Sequence, residues 1–292
     1  MASDNNARAS AAVATTPPGT NAIAVTVAGL LGKDGIKRRF EEILGAKAAG
    51  FISSIINVTN GSRALKECDP NTIVAAAAVA ASLDLPIDPN LGFAYIVPYR
   101  NKGRAEAQFQ AGYKGFVQLA LRSGQYKTIN VGPVYEGELE PLTPEQRLKG
   151  ELRFVDHPAE QSTRIIGYAA YFRLLNSAEM WGYITTEQAE AHARKYSKSY
   201  TREDSPWKTQ FDAMAQKTVL KRLLSHYGIL SIQMQTAVLA DQSVVRETAA
   251  GDAEYDYVDT TATEGAAEPA EPESPRPTLN ALLGGSEPGS GG

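Results

Sequence analysis

The chain has 292 residues, room for one large domain or two small ones, and its 43% hydrophobic content is enough for a core. Its longest apolar runs are broken by charge or made mostly of alanine, which argues against a transmembrane helix, and its single cysteine, Cys68, excludes an internal disulfide framework. The formal charge of −4 hides a segregation: residues 246–292 carry ten acidic and two basic residues, while the remaining 245 carry 27 basic and 23 acidic, a net of +4.

Residues 1–20 are mainly Ala, Ser, Asn, Thr and Pro, with little to bury, and are expected to be disordered. They lack the charged-then-apolar pattern of an export signal, which together with the lone cysteine fits a reducing cytoplasm. From Gly35 to about Asn60, apolar residues recur at helical spacing (Ile36, Phe40, Ile43, Leu44, Ala48, Phe51, Ile52, Ile55) and predict one long helix with Lys37, Arg38 and Arg39 near its start. Asp69-Pro70-Asn71 reads as the entrance to a helix over Thr72–Leu83. Its alanines suit close packing, inside the domain or against a neighbouring subunit.

Residues 93–137 read as hairpin, helix and strand. Phe93–Tyr99 is rich in β-branched and aromatic residues, Asn101-Lys102-Gly103 supplies a turn, and Arg104–Phe109 alternates as a second strand would. A helix from about Phe116 ends at Gly124, and Lys127–Tyr135 returns to strand. Arg100, Lys102, Arg104, Lys114, Arg122 and Lys127 lie among Tyr95, Tyr99, Tyr113 and Tyr126. That mixture suits a flexible polyanion whose bases can be stacked, and equally an ordinary solvated hairpin.

After a proline-containing loop come strand-like segments at 152–155, 164–174 and 180–184, then a helix from Thr186 to Tyr196, a polar loop and a long helix from Trp207 to Tyr227. Consecutive hairpins with helices between them predict an α+β fold: antiparallel sheet packed with long helices, between disordered termini. On the last helix Gln210, Lys217 and Lys221 project to one side and Val219, Leu220, Leu223 and Leu224 to the other, the expected core side. Eight basic against three acidic residues lie between Arg194 and Arg222. Lys217 and Lys221, at i and i+4, repel unless an anion lies between them, or simply share a solvated face. The acidic tail either competes for a basic groove or only solubilises.

Enzyme readings find little support. No glycine-rich loop with a Lys-Ser or Lys-Thr pair is present for ATP. His157, His192 and His226 are far apart and lack second ligands nearby; Asp84 with Asp88, and Glu136, Glu138 and Glu140, read as turn acids rather than a metal pair. Cys68 has no adjacent base.

Ordered motifs say more. Gly92-Phe93-Ala94-Tyr95 with Val97-Pro98-Tyr99, then Gln110-Ala111-Gly112-Tyr113-Lys114-Gly115, then Leu119-Ala120-Leu121-Arg122-Ser123-Gly124, and later Ser205-Pro206-Trp207 with Phe211–Lys221, closely resemble the RecT family of phage recombination proteins. The resemblance covers roughly residues 35–240. It implies a core related to the Rad52 annealing proteins, subunits assembled as a ring or helical filament, and ATP-independent annealing of complementary single-stranded DNA with no cofactor. It also implies an annealed duplex intermediate, a partner exonuclease and a host single-strand binding protein, for which the apolar island Pro277–Leu283 is a candidate dock, all in the cytoplasm of a bacterial host. The domains expected are 1–20, an annealing and oligomerising domain over 21–245, and the acidic tail 246–292. The expected DNA-binding residues are Arg100, Lys102, Arg104, Tyr113, Lys114, Arg122, Lys127, Lys198, Lys208, Lys217, Lys221 and Arg222. Gly112 and Gly115 would let backbone approach the strand, and Tyr113 would stack on a base or pack beneath the hairpin. Passive coating of single strands is the alternative, and a structural oligomer whose basic patches meet its own tail a third.

Overall fold

A computed structural model describes residues 26–101, 103–155, 162–197, 199–241, 243–247 and 253–257. The expected N-terminal disorder, Lys102, His157, Lys198 and most of the acidic tail lie outside these residues. The chain divides into two compact units, one made of residues up to Leu119 with Ser231–Asp256, the other starting at Ala120 and running to Leu230.

In the first unit, α1 (Val27–Leu31), α2 (Asp34–Leu44), α3 (Ala48–Gly61), α4 (Arg63–Lys66) and α5 (Pro70–Ser82) precede a hairpin of β1 (Ala94–Asn101) and β2 (Arg104–Ala111). The single helix expected over 35–60 is broken. Gly45 sits at φ 54°, ψ −127°, and a 3-10 turn over Gly45–Lys47 redirects the chain before α3. A backbone at positive φ cannot continue a right-handed helix. The next expected helix is present, starting two residues earlier and ending one sooner: Asp69 caps it by accepting from the Asn71 amide at 2.9 Å, with Pro70 in the first turn. Its alanines serve this unit's own core. Ile73, Ala76, Ala77 and Ala80 are fully buried, and α5 packs on β2.

Strand β2 is stitched on its second edge by side chains as well as by another strand. The Ala107 amide donates to Thr72 Oγ1 at 2.8 Å and the Ala111 amide to Asp241 Oδ1 at 3.1 Å, while β6 (Ser243–Glu247) pairs at Phe109. With β7 (Ala253–Tyr257) the sheet order is β1-β2-β6-β7. These two strands, and α11 (Ile232–Ala240) before them, carry no strong sequence signal; β6 and β7 run past residue 246 into the acidic stretch.

Helix α6 (Tyr113–Arg122) follows β2 and leads into the second unit. There β3 (Tyr126–Tyr135), β4 (Ile165–Leu174) and β5 (Glu179–Thr185) form an antiparallel sheet in that order. Residues 152–155 do not make the strand expected of them. Phe154 forms only an isolated bridge to Leu139, and the loop before it contains the short α7 (Pro144–Leu148), capped by Thr143. Helix α8 spans Thr186–Tyr196 as expected and is capped by Thr185, with Gln188 returning the bond in a capping box. The long helix expected from Trp207 is two. A short α9 (Pro206–Thr209) ends at Gln210, whose φ −141° and ψ 48° are not helical, and α10 (Phe211–Tyr227) begins there. The break lets Trp207, 5% exposed, turn its ring edge-on to Phe211 at 5.7 Å. One face of the sheet is covered by α10: Val219, Leu220, Leu223 and Leu224 are buried as expected, and Tyr168 Oη donates to Asp212 Oδ1 at 2.5 Å.

Candidate nucleic-acid interface

The hairpin does not hold its charges together. Arg100 pairs across to Ala105 and Arg104 to Asn101, so both arginines sit at the tip, whereas Tyr113 and Lys114 follow the far end, where Ala94 pairs with Ala111. Seven steps of strand separate the two, roughly 24 Å. Arg100 is exposed and bonds Glu67 at 3.4 Å; Arg104 is exposed. Tyr113 is half-buried, and together with burial it pushes the Tyr95 hydroxyl up from its ordinary range. The stem of exposed Lys114 lies over Gly92.

The glycines beside Tyr113 serve packing. A Cβ on Gly112 would overlap the Gly92 carbonyl oxygen, and one on Gly115 the Phe93 carbonyl oxygen. Both are buried, and the Gly112 amide donates to Phe93 at 2.9 Å. The expectation that they open backbone to a DNA strand is therefore not met: the backbone they admit is the protein's own, at the junction of hairpin and helix.

Basic residues converge in the second unit. Arg122 ends α6 and Lys127 begins β3, both exposed on either side of a tight turn. At the C-terminal end of α8 the Arg194 guanidinium lies 6.0 Å from the centre of the Tyr200 ring, and Lys208 of α9 reaches the same ring at 5.7 Å. Lys195 lies 5.3 Å from the centre of the Tyr196 ring. On the same helix, the exposed His192 ring lies with its centre 4.6 Å from that of Tyr196 and 6.1 Å from that of Trp207. Desolvation, then the positive charges of Lys221 and Arg222 on α10, hold its imidazole below the ordinary 6.5. Lys221 and Arg222 thus stand near enough to His192 for their charges to oppose its protonation. Lys221 is half-buried and Arg222 exposed, but Lys217 is only 6% exposed. The expectation that Lys217 and Lys221 share an open face is corrected by this burial, and Gln210 lies in the break rather than on the helix. Tyr200, Arg194, Lys195 and Tyr196 were not among the residues expected from the sequence. Their signal was the alternation of basic and aromatic residues through Arg194–Tyr200, which a polar-loop reading passes over.

A second aromatic region lies on the sheet in the same unit. Tyr171 and Trp181 stack at 4.2 Å, Phe154 approaches Trp181 at 5.7 Å, and with Asn130, Gly132 and Ala169 they line a shallow hollow of about 320 Å³. Beside it Arg153 pairs with Glu151 at 3.3 Å, whereas Arg173 only approaches Glu179 at 4.0 Å and its buried Nε has no hydrogen-bond partner among the described residues.

Among the described residues, no three of His, Cys, Asp and Glu come together as a metal site, and no helix is long and apolar enough to cross a membrane. Cys68 is buried, with Sγ facing the Ala64 and Glu106 carbonyls, and burial pushes its thiol up, away from reactivity.

Residues 49–256 match the RecT family. The chain belongs to that family. Membership places it among single-strand DNA annealing recombinases, which are non-catalytic. The chain is 49% identical over 216 residues to the uncharacterized protein YqaK of Bacillus subtilis, a match covering 74% of this chain and 72% of that one. It is 32% identical over 184 residues to protein RecT of Escherichia coli, covering 61% of this chain and 65%, just under two thirds, of that protein.

Proposed function

We propose that this RecT-family protein anneals complementary single strands of DNA without ATP, working as an oligomer in a bacterial cytoplasm. The observation that carries the reading is the family match over residues 49–256. The basic and aromatic residues gathered around α8 and α10 support it physically. Lys221, Arg222, Arg122, Lys127 and Lys208 would hold phosphates, and bases would be left unpaired and outward for testing by a second strand. Arg100, Lys102, Arg104, Tyr113, Lys114 and Lys198 complete the proposed set, and Lys217, being buried, is left out of it. The working portion would be residues 21–245, with 246–292 as an acidic appendage, and the partners an exonuclease and a host single-strand binding protein. Sequence is then read by base pairing alone.

The test is the pairing rate of two complementary oligonucleotides, one pre-bound, without nucleotide. Acceleration with a long-lived complex of both strands is expected. Tight binding with slowed pairing would instead make this a coating protein, and absence of binding at low salt would remove the DNA reading altogether.

A further inference from the structure

Two cations from separate segments of the chain converge on one ring. Arg194, in the last turn of α8, and Lys208, in α9, both lie within 6.0 Å of the centre of the Tyr200 ring. Arg194 has an acidic partner one turn back, Glu190 at 2.9 Å, and sits at the negative end of its helix, which together account for a cation at that position. Neither accounts for Lys208, which comes from beyond the 197–205 loop to the same ring. Bringing a second positive charge there is unfavourable in isolation and becomes favourable when an anion joins them. Lys195 adds a third cation one residue on, against Tyr196. Both Arg194 and Lys208 are exposed, so an anion can reach them from solvent. Of the two carboxylates in the intervening loop, Asp204 is taken by Arg202 in two bonds of 2.9 and 2.6 Å.

We propose that Arg194 and Lys208, both held against Tyr200, form a phosphodiester clamp for single-stranded DNA, with Tyr200 as the positioning residue. This rests on the DNA-binding reading above and adds residues to it. The ring aims two flexible side chains at one stretch of backbone and lowers the entropy lost on gripping it. The guanidinium offers a planar fork of donors to phosphate oxygens, and the ammonium a point charge beside it.

The experiment measures single-strand affinity of the full chain against salt concentration for wild type, Tyr200→Phe, Tyr200→Leu and Lys208→Gln. Each lost phosphate contact removes roughly 0.7 from the slope of log affinity on log salt, about five-fold in affinity at 0.1 M. Lys208→Gln should lose about one such contact. Tyr200→Leu should lose one to two, and Tyr200→Phe, which keeps the ring but loses the hydroxyl that bonds Arg194, should lose less than Tyr200→Leu. A wild-type slope in both Lys208→Gln and Tyr200→Leu overturns the clamp while leaving DNA binding intact. Equal loss in Tyr200→Phe and Tyr200→Leu overturns the ring's part in it. Failure of the wild-type chain to bind any oligonucleotide is a different result, and removes the reading beneath it. Lys208 is exposed on a short helix, so its variant reports even where a Tyr200 variant folds poorly.

Discussion

Two regions of the second unit present aromatic rings, and they differ in how their cations are placed. In the hollow formed by Phe154, Tyr171 and Trp181, the rings stack on one another, Arg153 answers to Glu151, and the Tyr171 hydroxyl donates to Glu179 at 2.7 Å. Around Tyr196 and Tyr200, Arg194, Lys195 and Lys208 of α8 and α9 lie against the rings themselves, and Lys221 and Arg222 of α10 bear on His192 beside Tyr196. Exposed aromatic rings alone therefore do not mark a nucleic-acid surface. A base can stack on either region, but the second also sets exposed cations against its rings, where they can meet the phosphates that bring a base there.

The largest expected effect that bears on this contrast is at α10. Replacing Lys221 and Arg222 together by alanine should lower single-strand affinity roughly twenty-fold at 0.1 M salt and flatten the salt slope by about 1.4, two phosphates' worth. An unchanged slope would remove α10 from the interface. Lys217→Met should behave differently. Its buried stem packs within the unit, so thermal stability should move and the slope should not; a flattened slope would put Lys217 on the DNA after all.

Trp181→Ala should destabilise the protein by roughly 2 kcal/mol through lost ring packing while leaving DNA affinity at its wild-type value. A drop in affinity with an unchanged salt slope would instead make the hollow a base platform. The effect of pH should be smaller. His192, packed against Tyr196 and Trp207 with Lys221 and Arg222 nearby, has a folded-state pKa below its unfolded 6.5. The unfolded chain then binds the proton more readily, so stability should be flat above that value and fall as pH drops through it, and His192→Gln should lessen the fall in thermal melts at pH 7 and 5.5. Smallest of all should be Arg100→Ala with Arg104→Ala, because the hairpin tip lies far along the strands from Tyr113 and Lys114; an effect matching that of α10 would show that the tip grips DNA too.

What the sequence made legible follows from how local each signal was. The hairpin register, the Asp69 cap and the apolar side of α10 follow from period, turn chemistry and capping, all contained within a few residues. Two long helices were read where each is broken, at Gly45 and at Gln210, because apolar spacing runs through both breaks and only backbone dihedrals reveal them. The terminal strands were missed for a related reason: β6 owes its place to β2, far away in sequence. Among site residues, positive charge was easy to find and its grouping was not. A hairpin carries neighbours in sequence to opposite ends of a strand, whereas Arg194 and Lys208, fourteen positions apart, both reach the Tyr200 ring. Lys217 misled because helical angle alone does not say what packs against a flank.

The acceptors along the outer edge of β2 set a boundary for shortening the chain. Ala107 is served from upstream by Thr72, but Ala111 depends on the Asp241 carboxylate, and an amide left buried without an acceptor costs about 1–3 kcal/mol. A chain stopped just after Asp241 keeps both bonds and gives up the strands beyond. Stopped one residue sooner, it leaves the hairpin's last amide facing nothing, so a single residue decides whether the trimmed protein can close its own edge.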